Sequence, residues 1–191
     1  MNFKNAAHRS VVIVVIILLS LLIGYVSHVI GNKIDIASHP REYTEFVEKY
    51  AREYGVPEYI VYAIILTESE FTSNKLSEDG EIGLMQISPE TFRWLTSITK
   101  EELESGILYD PETNIKYGTY MLSYLYTQHN RWKTVLAVYD AGAEAVEEWL
   151  EDEACVDENG NLVTIPDSRT AQYVETVEKE LAVYRELYYL D

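Results

Sequence analysis

The apolar positions of this chain fall into patterns that change along its length. From Val11 to Ile30 the run is apolar apart from Ser20, Ser27 and His28, and its twenty residues are enough to cross a bilayer as a helix. Beyond it the pattern becomes helical spacing. Tyr43, Phe46, Val47 and Tyr50 form one stripe behind Pro40, which stands at an expected helix start, and Gly55 supplies the stop. Ile60, Ala63, Ile64 and Thr67 form a second stripe, opened by Pro57 and carrying Glu68 at its C-terminal end.

Polar residues 73–81, with the turn signal Asp79-Gly80, separate that helix from one begun by Ser88-Pro89 and running through Leu95. Thr99 and Glu102 have capping-box spacing for a short helix after it. Asp110-Pro111 opens a longer helix in which Ile115, Met121, Leu122 and Leu125 face inward and Gly118 permits a close backbone approach. Tyr117, Tyr120, Tyr124 and Tyr126 spread around that helix as wall or rim residues, and their spacing picks out none of them for stacking on a ligand. Trp132 to Tyr139 and Glu144 to Leu150 predict two more helices, and Ser168 to Tyr188 the last. Between them, Asn159-Gly160 flanked by Val156 and Leu162 to Ile165 predicts a small β-hairpin.

Charge adds topology. Lys4 and Arg9 are the only charged side chains before residue 31, so of 15 basic and 32 acidic residues the remainder carries 13 against 32. A basic flank ahead of the apolar run, and an acidic domain behind it, predict that the flank stays cytoplasmic and the domain faces outward. A cleaved signal peptide is the alternative, although no small-x-small cleavage site comes after the run. The acidity opposes binding to nucleic acid and to anionic headgroups.

Metal chemistry finds little support. The histidines at 8, 28, 39 and 129 lack ligand spacing, and the single cysteine, Cys155, excludes an internal disulfide. Asp157, Asn159 and Asn161 imitate the opening of a calcium loop, but Leu162 and Ser168 stand where its glycine and glutamate belong. No metal or other cofactor is expected.

The candidate chemistry sits at Glu68. A carboxylate beside the apolar body of a helix, at the negative end of its dipole, has its charged form disfavoured twice and becomes a proton donor near neutral pH.

Around it, the chain resembles the soluble lytic transglycosylases, relatives of goose-type lysozyme that cut the glycan strands of bacterial peptidoglycan. The resemblance covers residues 40–188. It rests on Ala63-Ile64-Ile65 leading to Glu68-Ser69 and Phe71, on Ser77 to Gly80 leading to Gly83-Leu84-Met85-Gln86, and on Pro111, Asn114-Ile115 and Gly118. Tyr139-Asp140-Ala141-Gly142, then Ile165-Pro166, Thr170 and Tyr173-Val174, complete it in order. Two positions depart from the family pattern, which has asparagine where Asp140 stands and glutamate where Arg169 stands.

The resemblance implies a mainly helical, lysozyme-like domain with a small hairpin over residues 40–191. A cytoplasmic segment (1–10), one transmembrane signal-anchor helix (11–30) and a tether (31–39) precede it. It implies Glu68 as the single catalytic acid and base, with Ser69 and Gln86 bonding around the substrate and the Gly83-Leu84-Met85 backbone lining the sugar groove. Tyr139, Asp140 and Tyr173 would complete the substrate-binding set. The product would be an anhydromuramic acid end. Two rivals stay open: a lysozyme-type hydrolase using Asp79, Glu81 or Asp140 to activate water, and a non-catalytic scaffold that binds peptidoglycan.

Overall fold

The computed structural model describes residues 16–26 and 36–190. Residues 16–26 are helical (α1), and their large apolar side chains are exposed, Leu21 and Ile23 each by 65 %. Among the described residues no helix is long and apolar enough to cross a membrane, so the expected complete span is not found there. Its two ends, residues 11–15 and 27–30, lie outside the described residues, as does most of the tether. Two compact units divide between Pro40 and Arg41.

Among the described residues the second unit has seven α-helices: α2 (Thr44–Tyr54), α3 (Glu58–Ser69), α4 (Pro89–Thr99), α5 (Pro111–His129), α6 (Trp132–Ala141), α7 (Ala143–Glu151) and α8 (Ser168–Tyr188). Local chemistry explains three of their starts. Ser88, Asp110 and Asp167 each accept a hydrogen bond from the backbone amide three residues on, at Thr91, Thr113 and Thr170. The first of these helices begins later than expected from Pro40. Thr44 Oγ1 donates to Arg41 O at 2.8 Å, and Tyr43 takes a left-handed φ of 54° before the helix begins.

Helix α3 is the axis of the core. Ile60 to Ile65 are all buried, with α2 and α8 both packed on the helix, so this stretch keeps no solvated stripe. Tyr62 stacks on Tyr184 of α8 with ring centroids 5.5 Å apart. Arg41, at the beginning of the unit, lies over the rings of Tyr62, Tyr188 and Tyr189 at 5.4–5.5 Å and within 3.7 Å of Glu58.

Two expectations are corrected. The capping-box spacing at Thr99 and Glu102 opens no helix: Thr99 is the last residue of α4, its hydroxyl donates back to Thr96 O, and Lys100 closes the helix in the left-handed region. A 3-10 turn over Ser105–Tyr109 takes its place. The hairpin is also absent as strands. Among the described residues pairing stops at isolated bridges, here Val156 with Leu162. Val163 N and Thr164 N both donate to Cys155 O, so the returning segment curls on one carbonyl and no ladder can extend. The Asp157 carboxylate is consumed by the turn, accepting from the Asn159 and Asn161 amides and from Asn161 Nδ2.

Candidate active site

Glu68 is the penultimate residue of α3 and is only partly exposed. Burial is the main force on its carboxyl, pushing the pKa from an ordinary 4.5 up to about 7, and the negative fields of Glu81 and Asp140 add to the rise. The Tyr173 hydroxyl and the Lys75 ammonium oppose it. Lys75 Nζ donates to the Glu68 backbone carbonyl, where a cation also suits the negative end of the helix. The helix then stops, because Glu70 and Phe71 both adopt left-handed φ values, 49° and 61°.

The 83–86 segment lies across this end of α3 because several side chains tie its backbone down. Ser69 Oγ lies between Ile65 O and Leu84 O, 3.0 and 2.7 Å away. Its one proton serves the fold, so its contact is with the backbone that was expected to line the groove. Gln86 Nε2 likewise donates to Gly83 O at 2.7 Å and more loosely to Lys75 O at 3.4 Å. Leu84 and Met85 are fully buried.

A residue given no role from sequence holds the segment from behind. Asn114, buried on α5, accepts from Met85 N at 2.8 Å and donates to Ile82 O and Leu108 O at 2.8 and 2.9 Å. All its hydrogen-bonding atoms are thus engaged. Asparagine on the apolar side of a helix was the available signal, since a buried amide demands partners. Gly83 has φ 81° and packs so tightly on Asn114 and Leu108 that a Cβ would overlap both. One turn along α5, Gly118 leaves room for the Met85 side chain, where a close approach of backbone was expected.

Helices α6 and α8 supply the walls. Tyr139 Oη donates to Met85 O at 2.6 Å, while Tyr173 Oη is buried without a hydrogen-bond partner, facing the Glu68 carboxyl at longer range. Burial first, and the Glu68 charge second, hold both phenols well above their ordinary pKa, so both stay protonated. Asp140 is one-tenth exposed. Thr170 Oγ1 donates to its Oδ2 at 2.6 Å, and Arg169 Nη1 stands 3.3 Å from its Oδ1. The two positions that depart from the family pattern therefore touch each other.

Glu81 is partly buried beside this group. Burial and the charges of Asp79 and Asp140 raise its pKa, against Ser77 and Arg169. A cavity of about 610 Å3 adjoins the site through Tyr139 and is lined further by Thr91, Trp94, Met121, Tyr124 and Glu147. Of the four tyrosines on α5, Tyr124 is the one that reaches it, edge-on to Trp94 at 5.0 Å. Among the described residues no group of three or more metal-ligating side chains occurs.

Known proteins match this chain in both sequence and fold. The Transglycosylase SLT domain profile matches residues 45–160. The soluble lytic murein transglycosylase of Escherichia coli K12 is 34 % identical over 150 residues, covering 76 % of this chain and 23 % of the relative. The membrane-bound lytic murein transglycosylase C of Actinobacillus succinogenes is 32 % identical over 133 residues, covering 61 % of this chain and 35 % of the relative. A 70-kDa soluble lytic transglycosylase in complex with bulgecin A superposes with a TM-score of 0.71 at 34 % identity, over 78 % of this chain and 25 % of that one. The lytic transglycosylase Slt of Pseudomonas aeruginosa, solved as an inactive mutant, does so at 0.70 and 29 %, over 78 % and 24 %. The chain thus spans about a quarter to a third of the length of these relatives, and with a mainly helical, lysozyme-like fold it belongs to the SLT transglycosylase domain family.

Proposed function

We propose that this chain is a peptidoglycan lytic transglycosylase that cleaves between N-acetylmuramic acid and N-acetylglucosamine, with Glu68 as its one general acid and base. The carrying observation is the Glu68 carboxyl itself, pushed up to about 7 by burial at the junction of α3, the 83–86 segment, Tyr139 and Tyr173. Such a group is protonated often enough to donate and ionised often enough to accept. The names of the relatives supply murein as the substrate class.

On this reading Glu68 protonates the glycosidic oxygen as the bond breaks, and the muramyl acetamido group supports the charge developing at the anomeric carbon. The resulting carboxylate takes the proton of the sugar's own 6-hydroxyl as that oxygen closes the anhydro ring. A tethered nucleophile has a high effective molarity, and keeping water out decides the product. The cavity past Tyr139 gives the strand its bed, and the buried backbone at Gly83, Leu84 and Met85 braces the Glu68 end of α3 beside it. Ser69 and Gln86 act by holding that backbone.

The hydrolase reading keeps one supporting observation, the partly buried Glu81 whose charge helps raise the Glu68 pKa. Asp140 suits the role of base poorly, since both of its oxygens are engaged. Mass spectrometry of digested peptidoglycan separates the readings: anhydro ends are expected from the native chain, and reducing ends alone would overturn the proposal. Glu68→Gln should bind strands normally and turn over at least about a hundredfold more slowly. Binding without fragments from the native chain would favour a scaffold.

The apolar segment 11–30 is read as a retained membrane anchor, with the folded domain on the outer side. The exposed apolar side chains of α1 and the membrane-bound relative support this.

A further inference from the structure

Asp140 is expected among the sugar-binding residues, yet its polar atoms are turned toward the first turn of α8. Oδ2 accepts from Thr170 Oγ1 at 2.6 Å, Oδ1 faces Arg169 Nη1 at 3.3 Å, and its backbone carbonyl accepts from Arg169 Nη2 at 3.4 Å. Thr170 is itself fully buried and fixed, its amide donating to the Asp167 carboxylate at 2.8 Å.

The connection lies where it matters for Glu68. Asp140 directly follows Tyr139, and Arg169 and Thr170 stand about one helical turn before Tyr173. The contacts therefore fasten the turn carrying one tyrosine to the turn carrying the other, and both tyrosines feel the Glu68 charge. Arg169 makes a poor anion reader here. It occupies a helix N-terminus that disfavours cations, and the neighbouring Asp140 and Asp167 carboxylates satisfy its charge, although its side chain is 70 % exposed. It serves as an outer splint on the Asp140 carboxylate.

We propose that Asp140 is a positioning residue which, through Thr170 and Arg169, latches α6 to α8, holds Tyr139 and Tyr173 together over Glu68, and so sets the partition between ring closure and hydrolysis. The proposal rests on the transglycosylase reading above. Both outcomes start from the same cleavage, in which the leaving oxygen takes the Glu68 proton. They differ in the next bond to form. Either the 6-hydroxyl oxygen bonds to the anomeric carbon and its proton returns to Glu68, or a water oxygen bonds there and the water proton returns instead. A loosened wall admits the water.

The test compares Thr170→Val, Thr170→Ser, Arg169→Ala and a core control, Val177→Ala, in the full chain, reading product ends by mass spectrometry together with kcat, KM and thermal stability. Thr170→Val keeps the side-chain shape and removes the bond to Asp140. It should raise the ratio of reducing to anhydro ends about tenfold with KM little changed, since small misplacements at a reacting centre carry effects up to about a hundredfold. Thr170→Ser should restore the native ratio. Arg169→Ala, at an exposed position where folding is safe, should shift the ratio the same way by less, and Val177→Ala should lose stability with products unchanged. Native product ratios in both Thr170→Val and Arg169→Ala, or an equal shift in Val177→Ala, would overturn the latch. Absence of anhydro ends from the native chain would instead overturn the function on which it rests.

Discussion

Glu68 carries opposed demands, because the burial that makes it a donor near neutral pH also makes its ionised form a burden on the fold. Its folded pKa of about 7 exceeds the ordinary 4.5, so the protonated group costs nothing at low pH. Stability falls as pH rises from about 4.5 to about 7, and the loss is complete above that window. The displacement corresponds to roughly 3 kcal/mol. Glu68→Gln should therefore unfold like the native chain at pH 4 and be stabilised by on the order of 2 kcal/mol at pH 8, measured by urea melts. Equal midpoints at both pH values would show that the carboxyl is not held in a desolvated state. Sequence placed this carboxyl correctly at the end of an apolar helix, but assigned part of its shift to the helix dipole. Burial proves the larger cause, with the Glu81 and Asp140 fields behind it. Those fields come from residues 13 and 72 positions away in the chain, which only folding brings near.

At the scale of elements, α5 behaves as a bracket for the 83–86 segment, with an amide hub at Asn114 and a flat place one turn on at Gly118. Asn114→Ala would leave Met85 N and two carbonyls to find new partners, a loss on the order of 3 kcal/mol. Activity should fall further than stability, because the released segment braces the end of α3 that carries Glu68. Denaturant midpoints compared with lytic rates would check this, and a rate unchanged per folded molecule would contradict it. The helices themselves were legible, since caps and apolar spacing are local: Ser88-Pro89, Asp110-Pro111 and the Ser168 to Tyr188 helix stand where the pattern placed them. The errors have local causes too. Thr99 satisfies a start signal while ending α4, with Glu102 in the irregular connection beyond, and Asn159-Gly160 makes its turn without strands long enough to continue it. What local pattern cannot carry is destination. Nothing in the order of residues says that the Ser69 hydroxyl goes to Leu84 O, or that Asp140 meets Arg169.

For the whole molecule, the balance of charge and the apolar run make a topological prediction. Protease added to intact cells should remove the domain beyond residue 40 and spare the N-terminus. Protection of the domain would reverse the proposed orientation, and a free domain in the medium with a new N-terminus would show that the apolar segment is cleaved. A chain beginning at Arg41 should keep its fold, since the second compact unit starts there.

The ring of tyrosines around Arg41 bears on how such a domain is passed between proteins. Polypeptide comes in at Arg41 and goes out at Tyr188-Tyr189, and both ends are gathered at a single guanidinium. A unit whose doorway and way out coincide can be spliced into longer chains as a cassette, because its neighbours need span almost no distance to flank it. In relatives of which the matching stretch fills about a quarter of the length, such a closure asks little reach of the flanking chain.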